Sequence, residues 1–406
     1  MTAAAAPVPT KRFVERKAAI VGSAIEVINR KGVHGMTLAD VAARLNLVPT
    51  GVIYYFRNKE ALASAAFLDG IGRFNRLVAE SAGRQAVRER LGAFLDSYFD
   101  HQRRSALGEF PPLAMFNDVR ALGSEPVNQA YVDMFRGVRS LLEGPETLAL
   151  SRQALNARAH LLVSEVFWAP AWLDRHDLGD YGRVSRRLGA ILADGLAAPG
   201  RAWRPVALPA LVAERDRLET SCERFLRAAT QLINEEGYVG ASVEKISARL
   251  NVTKGAFYHH NETKDELVVA CFERTFQVMR RAIDQAEAVC TNGLQTLSTV
   301  ATALVEHQMT GAAPLLRTSA LTSAPEALQP HLLASFDRIS YRFAALISDG
   351  VADGSVRAVD ANIGAQTMTA AINAAAELHY WVPGATPATV AELYVRPLFE
   401  GLLSKP

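Results

Sequence analysis

Apolar residues recur at i, i+3, i+4 and i+7 through long stretches rich in Ala, Leu, Arg and Glu, and nowhere does an apolar/polar alternation last more than a few residues. The pattern predicts an all-α protein without strands. One periodic stretch runs from about Val14 and stops at Gly32; another runs from about Leu218 and stops at Gly237. Glycine just past the last periodic residue is a left-handed helix stop, because it reaches positive φ with no Cβ penalty. Gly35 or Gly240 follows three residues later. Next comes Thr37 or Ser242, at the N-cap of a short helix with apolar face Leu38, Val41, Ala42 and Leu45, or Val243, Ile246 and Leu250. Asn46 and Asn251, a residue type that tolerates positive φ, then turn the chain. A third helix begins within a few residues, with Pro49 suited to its first position in one case and Thr253 to its N-cap in the other. A fourth opens at Asn58-Lys59 or Thr263-Lys264, where Thr263 and Glu266 form a capping box.

These two series are copies of one unit. At an offset of 205 positions, Ala24–Leu68 aligns with Ala229–Glu273 without a gap and 13 of 45 positions are identical, Asn29/Asn234, Ala43–Asn46/Ala248–Asn251 and Lys59/Lys264 among them. Fainter echoes follow in the same order: FWAP at Phe167–Pro170 against YWVP at Tyr380–Pro383, and DGL at Asp194–Leu196 against EGL at Glu400–Leu402. Together they indicate duplication of a whole unit. Between the copies, Ala197–Arg215 carries Pro199, Pro205 and Pro209 and no useful helical stripe, and reads as a tether. A chain of 406 residues is long enough for several domains. The expected division is a head at 11–70, a helical body at 71–200, a linker at 201–215, a second head at 216–275 and a second body at 276–406.

Two short helices joined by a tight turn and braced by a longer one make a helix-turn-helix, whose second short helix enters the major groove. Here that helix is about Pro49–Tyr55 or Lys254–His260. GMTLADVAARLNLVPTGVIYYFRNKEAL, and more closely GASVEKISARLNVTKGAFYHHNETKDEL, resemble the N-terminal DNA-binding domain of the tetracycline-repressor (TetR) family of bacterial regulators. The resemblance covers roughly 50 residues of each half. The first copy departs from the family pattern at Thr50, with its glycine moved to Gly51, and at Ile53; the second keeps Gly255 and Tyr258 but has Asn261 where the family has Phe.

The resemblance implies two tandem TetR-like units, each a helix-turn-helix domain followed by a helical ligand and dimerisation bundle. It implies a cytoplasmic bacterial repressor, nucleoid-associated when bound, with operator DNA and a small-molecule inducer as partners. Family members pair as homodimers. A duplicated chain supplies both heads itself, so the halves are expected to pair within one chain and read two unlike half-sites; whether that chain pairs again into a homodimer stays open. The expected DNA contacts are Thr37, Arg44, Pro49, Thr50, Gly51, Tyr54, Tyr55 and Lys59 in the first head. In the second they are Ser242, Lys245, Arg249, Thr253, Lys254, Gly255, Tyr258, His259, His260 and Lys264. These residues supply hydroxyls, cations and close backbone approach; packing between helices is the competing role for the tyrosines.

Net charge is only +2, so any polyanion surface must be local. Lys11–Leu68 carries +5 and Asp216–Glu273 carries −3, yet the crossing and groove helices alone sum to 0 over Leu38–Tyr55 and +2 over Val243–His260. The run Lys11–Lys17, KRFVERK, suits either a minor-groove arm or a solvated helix start. In the bodies, His160, Phe167, Trp168, Trp172, His379, Tyr380 and Trp381 are candidate ligand contacts, with core packing as the alternative. No nucleotide-binding, hydrolase or zinc-protease signature occurs, and three widely spaced cysteines suggest neither a disulfide framework nor a zinc site. No catalytic residue, metal, cofactor or membrane partner is therefore expected. The alternative function is a ligand sensor or interaction scaffold whose heads no longer touch DNA.

Overall fold

The structure is a computed structural model describing residues 10–116, 119–209, 211, 221–252, 263–311, 314–317, 320–321, 324 and 327–405. It is all-helical. The first head comprises α1 (Lys11–Gly35), α2 (Leu38–Arg44) and α3 (Pro49–Ile53), and α4 (Lys59–Ala82) leads into a body of α5 (Val87–Ala106), α6 (Glu125–Leu141), α7 (Arg152–Trp168) and α8 (Tyr181–Asp194). The second series runs α9 (Ser221–Gly240), α10 (Val243–Leu250), α11 (Lys264–Val289), α12 (Gly293–Met309), α13 (Gln329–Ala352) and α14 (Ala361–Ala374). It closes with short helical turns over 375–400. Among the described residues there is no β-strand, only an isolated bridge between Ala197 and Val356. No helix there is long and apolar enough to cross a membrane.

The local punctuation behaves as its chemistry demands. Gly32 and Gly237 take φ of 68° and 73°, and Asn46 and Asn251 take 54° and 55°, so both copies break helix one and leave the second helix in the same way. Thr37 and Ser242 accept from the backbone N–H of Asp40 and Lys245, Pro49 opens α3, and Thr263 with Glu266 forms the capping box. The first helix starts at Lys11, earlier than its apolar stripe suggests, because Thr10 caps it. The basic run Lys11–Lys17 is thus the opening of α1 rather than an arm.

Body helices of the two halves pack on one another, α7 and α8 against α14 and the helical turns near the C-terminus. Tryptophans are exchanged. Trp168 donates from Nε1 to Gln366 Oε1 at 2.9 Å and lies 6.0 Å from Phe336. In the other direction Trp381 stacks on Phe135 at 4.1 Å and meets Tyr131 edge-on at 5.4 Å. Buried aromatic pairs contribute about 0.5–1.5 kcal/mol beyond their area. At the far end the two echo glycines cross. Gly195 has φ 72° and a Cβ there would sit 2.1 Å from Phe399 O; Gly401 has φ 93° and a Cβ would sit 2.2 Å from Ala193 O. Ala197 N donates to Phe399 O at 2.8 Å and Leu402 N to Leu192 O at 2.7 Å across this crossing.

The segment expected to be a loose tether is seated. Ala198 N donates to Ser355 O at 2.9 Å, Arg357 N to Leu196 O at 3.0 Å and Val206 N to Thr299 Oγ1 at 2.9 Å. Arg281 Nη1 holds Leu211 O at 2.6 Å. Backbone groups that leave water must find partners, and here the second body supplies them.

Gly401→Ala is expected to lower stability in urea denaturation by about 3 kcal/mol or more, from a left-handed backbone plus a clash with main chain. Gly354→Ala, at φ 74° with open space around its Cβ position, is expected to cost only about 1–2 kcal/mol. Glu165 is fully buried on α7 with Oε1 unpartnered, and burial pushes its carboxyl well above the ordinary carboxylate range. The folded state therefore favours the protonated form, and stability is lost as pH rises from the unfolded value through the folded one. Melting curves of Glu165→Gln against the parent chain are expected to diverge in favour of the variant as pH is raised from about 4.5.

Candidate nucleic-acid interface and effector cavity

In the first head the reading segment is short and outward. Val48, Ile53 and Tyr54 are 66%, 47% and 74% exposed, with Pro49 and Thr50 exposed between them, while Val52 and Phe56 anchor the segment in the core. Such a run of exposed apolar side chains signals a contact surface. Phe13 on α1 packs 4.8 Å from Tyr55 and 6.2 Å from Tyr54, and Lys17 Nζ lies 5.4 Å over the Phe56 ring. Those contacts bring the exposed Lys11, Arg12 and Arg16 of α1 beside the reading segment, with Arg57 on its other flank. Gly51 is half-buried, its Cβ position 3.8 Å from Leu47, so it serves the turn as much as any ligand.

Several other expected contacts are committed internally. Lys59 Nζ donates to His34 O at 2.7 Å, and Lys264 does the same to Tyr238 O while lying 4.2 Å over the Tyr238 ring. In both heads the lysine that opens the fourth helix clamps the end of the first. Arg44 pairs with Glu26, and Arg249 with Glu235 at 2.8 Å, each tying a crossing helix to the long helix before it. Lys245 pairs with Glu236, the counterpart of Lys31 with Asp40 at 2.8 Å: the same two positions carry the same bridge with its polarity reversed. The Lys31 ammonium holds Asp40 below the usual carboxylate range. Tyr55 is half-buried against Phe13, and Thr37 and Ser242 spend their hydroxyls as caps. Thr253, Lys254, Gly255, Tyr258, His259 and His260 lie outside the described residues.

Two cavities open where the halves meet. The inner chamber, about 110 Å³, is lined by His160, Phe167, Trp168 and Tyr131 of the first half with Asn373 and Trp381 of the second. The outer cleft, about 440 Å³, takes His379 and Tyr380, and Arg120 lies 4.4 Å over the Tyr380 ring. Both share Tyr131, Arg317 and Glu377, the last two paired at 3.1 Å. Burial depresses the basicity of His160 and of His379. Six of the seven expected ligand contacts thus border one or other space. Trp172 does not: it is fully buried beside His176 with Nε1 unpartnered.

Asn29 and Asn234, identical in the repeat but given no role by the sequence reading, join heads to cavity. Asn29 grips the 111–116 loop, donating to Leu113 O and accepting from Met115 N, both at 2.8 Å. Asn234 grips the matching loop at Leu315 O and Arg317 N, both at 2.9 Å. Met115 and Arg317 line the inner chamber. Each amide is therefore a two-pronged link from a head's first helix to a cavity wall, and α1 and α9 touch each other besides. The signal was available: a polar identity inside an otherwise apolar helical stripe.

The short α2, the Asn46 turn and α3 braced on α1 make this a helix-turn-helix protein, and the second copy repeats the design as far as it is described. The family model for bacterial regulatory proteins of the tetR family matches at residues 20–66 and again at 225–271. The chain belongs to that family, with the N-terminal unit present in tandem. It is 31% identical over 87 residues to the transposon Tn10 TetC protein of Escherichia coli, covering 21% of this chain and 44% of that one. Over 138 residues it is 26% identical to the HTH-type transcriptional repressor DhaR of Mycobacterium sp. (strain GP1), covering 33% and 69%. The HTH-type transcriptional regulator BetI of Escherichia coli O17:K52:H18 (strain UMN026 / ExPEC) is 34% identical over 96 residues, 22% of this chain and 48% of that one. The chain thus spans about half the length of two of these relatives. The crystal structure of apo AibR superposes at a TM-score of 0.37 with 18% identity, over 44% of this chain and 99% of that one.

Asn29→Ala removes both prongs of one clamp and leaves the α1 backbone intact. We expect a loss of about 1–3 kcal/mol in chemical denaturation, together with faster hydrogen exchange in the 111–116 loop than in the parent chain.

Proposed function

We propose that the protein is a ligand-responsive transcriptional repressor in the bacterial cytoplasm, a covalent pseudo-dimer that reads a bipartite operator with two non-identical half-sites. What carries the reading is the contrast between the copies: the stops, caps, turns and clamps that build each head are kept, while the sequences PTGVIYY and KGAFYHH, expected to read bases, differ. The exchanged tryptophans and crossed glycines support pairing of the halves in one chain, the arrangement that gives two heads a fixed register on the duplex. A small molecule in the cavities biases that register, because the walls it touches are the loops that Asn29 and Asn234 hold. Such coupling requires that the ligand bind the two head arrangements with different affinity.

One observation favours a second reading for half of the molecule. The cations of both crossing helices, Arg44 in the first head and Lys245 and Arg249 in the second, are bound to acids, whereas Arg12, Arg16 and Arg57 around the first reading segment pair with no acid among the described residues. On that reading the first head supplies most of the affinity and the second acts mainly as spacer and sensor.

Selection from a random DNA pool with the intact chain is expected to return two unlike half-sites about one helical turn, or a small multiple, apart, with binding that falls steeply with salt. Tyr54→Ala is expected to weaken binding by about 1–3 kcal/mol and relax preference in one half-site only. A perfect inverted repeat would count against unlike heads, and retention of full affinity at high salt would count against DNA as the partner. A selection that recovers a single half-site would favour the second reading.

A further inference from the structure

The inner chamber can be read for the chemistry it asks of an occupant. His160 on α7 and Asn373 on α14 face it from opposite halves of the chain, and they occupy equivalent places, each eight residues ahead of the tryptophan in FWAP or YWVP. His160 is 3% exposed and Asn373 6%, and His160 Nδ1 and Asn373 Oδ1 have no hydrogen-bond partner. Their other atoms are spoken for. His160 Nε2 lies 2.9 Å from Ala374 O, a carbonyl that can only accept, so Nε2 carries the proton and Nδ1 presents a lone pair. Asn373 Nδ2 donates to Thr369 O at 2.8 Å, which fixes the amide with its oxygen free. Buried acceptors left bare are costly, and here both belong to residues that line one cavity.

The remaining wall narrows the choice. Phe167, Trp168, Tyr131 and Trp381 offer ring faces and edges. Arg317, the cation on this wall, is neutralised by Glu377 at 3.1 Å, yet its Nε is buried and unpartnered, a donor in want of an acceptor. A volume of about 110 Å³ is smaller than the apolar cavity of about 150 Å³ that admits benzene, so what it encloses is at most a single ring. The outer cleft lies against the same Arg317–Glu377 wall.

We propose that this chamber binds a compact, uncharged, ring-shaped hydroxyl compound, a phenol or cyclic alcohol, whose O–H is offered to His160 Nδ1 and Asn373 Oδ1, one acceptor from each half. A hydroxyl both donates and accepts, so its oxygen also suits Arg317 Nε. The two-fold relation of the halves shows in the lining of the chamber, which takes unlike equivalents from the two sides, His160 against Asn373. The proposal rests on the reading of the cavities as an effector site and names the effector's class.

Calorimetric titration of the full chain, without DNA, with phenol, cyclohexanol, toluene and benzoate tests it. Phenol and cyclohexanol are expected to bind at least about tenfold more tightly than toluene, which leaves the acceptors bare, and benzoate is expected not to bind. His160→Phe and Asn373→Leu are each expected to bring the phenol-to-toluene ratio towards one while toluene still binds, with circular dichroism melting as the check on folding. The ratio in the parent chain stands as a test even where a variant fails to fold. Toluene binding as tightly as phenol, benzoate binding best, no probe binding in the millimolar range, or a ratio unchanged in both folded variants would each overturn the proposal. Selective phenol binding by a chain that holds no DNA sinks the regulator reading and leaves the chamber standing; specific DNA binding without probe selectivity does the reverse.

Discussion

Each half of this chain places a tryptophan in the other, and most of what lies around them is arranged by that exchange. Trp168 reaches Gln366 and Phe336, and Trp381 reaches Phe135 and Tyr131. An indole needs both a large apolar bed and a partner for its N–H, and Trp168 finds both across the seam. With the rings fixed, α7 lies against α14, His160 comes under Ala374 O, and the spaces left between unlike side chains become the inner chamber and the outer cleft. The asymmetry of the cavities follows from the divergence of the halves: where one has His the other has Asn, and where one has Ser164 the other has Glu377.

The heads show how a framework persists while its chemistry drifts. The bridge between the first and second helices is Lys31 to Asp40 in one copy and Glu236 to Lys245 in the other. Exposed pairs of this kind contribute only about 0.2–1 kcal/mol, but two like charges at these positions would repel, so the signs change together or not at all. The reversal also moves a positive charge from the long helix to the crossing helix, which is part of why the local and overall charge balances of the two heads disagree. Counting charges by segment therefore overstated Lys245 as a free cation, as it did Arg249, Lys59 and Lys264, all of which hold acids or carbonyls of the same head.

What could be read from the chain beforehand was whatever depends on neighbours within one helical turn. Gly32, Gly237, Asn46 and Asn251 announce their backbone geometry by residue type, and Thr37, Ser242 and Thr263 announce caps, so these stops, turns and caps of the described residues were legible to the residue. The first helix began earlier than expected because its opening turns, apart from Phe13, are exposed and carry no apolar stripe. The seam was legible only as an echo. FWAP against YWVP, and DGL against EGL, marked the ends of the exchange, but nothing local says that Gly195 must pass under Phe399 or that Trp381 belongs beside Phe135. Six of the seven aromatic and histidine candidates line a cavity at the seam, while Trp172 is sealed beneath it, a difference that residue type alone does not reveal.

The seated run from Ala197 to Val206 has a thermodynamic corollary for a chain that carries the repeated unit twice. Joining two partners covalently replaces a bimolecular equilibrium by an internal one, with an effective concentration that short connections hold near the millimolar range. For paired halves as proposed here, dilution ceases to matter: the assembly survives at one copy per cell as well as at hundreds, and its occupancy of a target varies in simple proportion to abundance rather than with the square. On the same proposal, halves that pair within one polypeptide do not mix with those of another, so a mutated allele would neither poison nor be rescued by its sibling through exchange of halves.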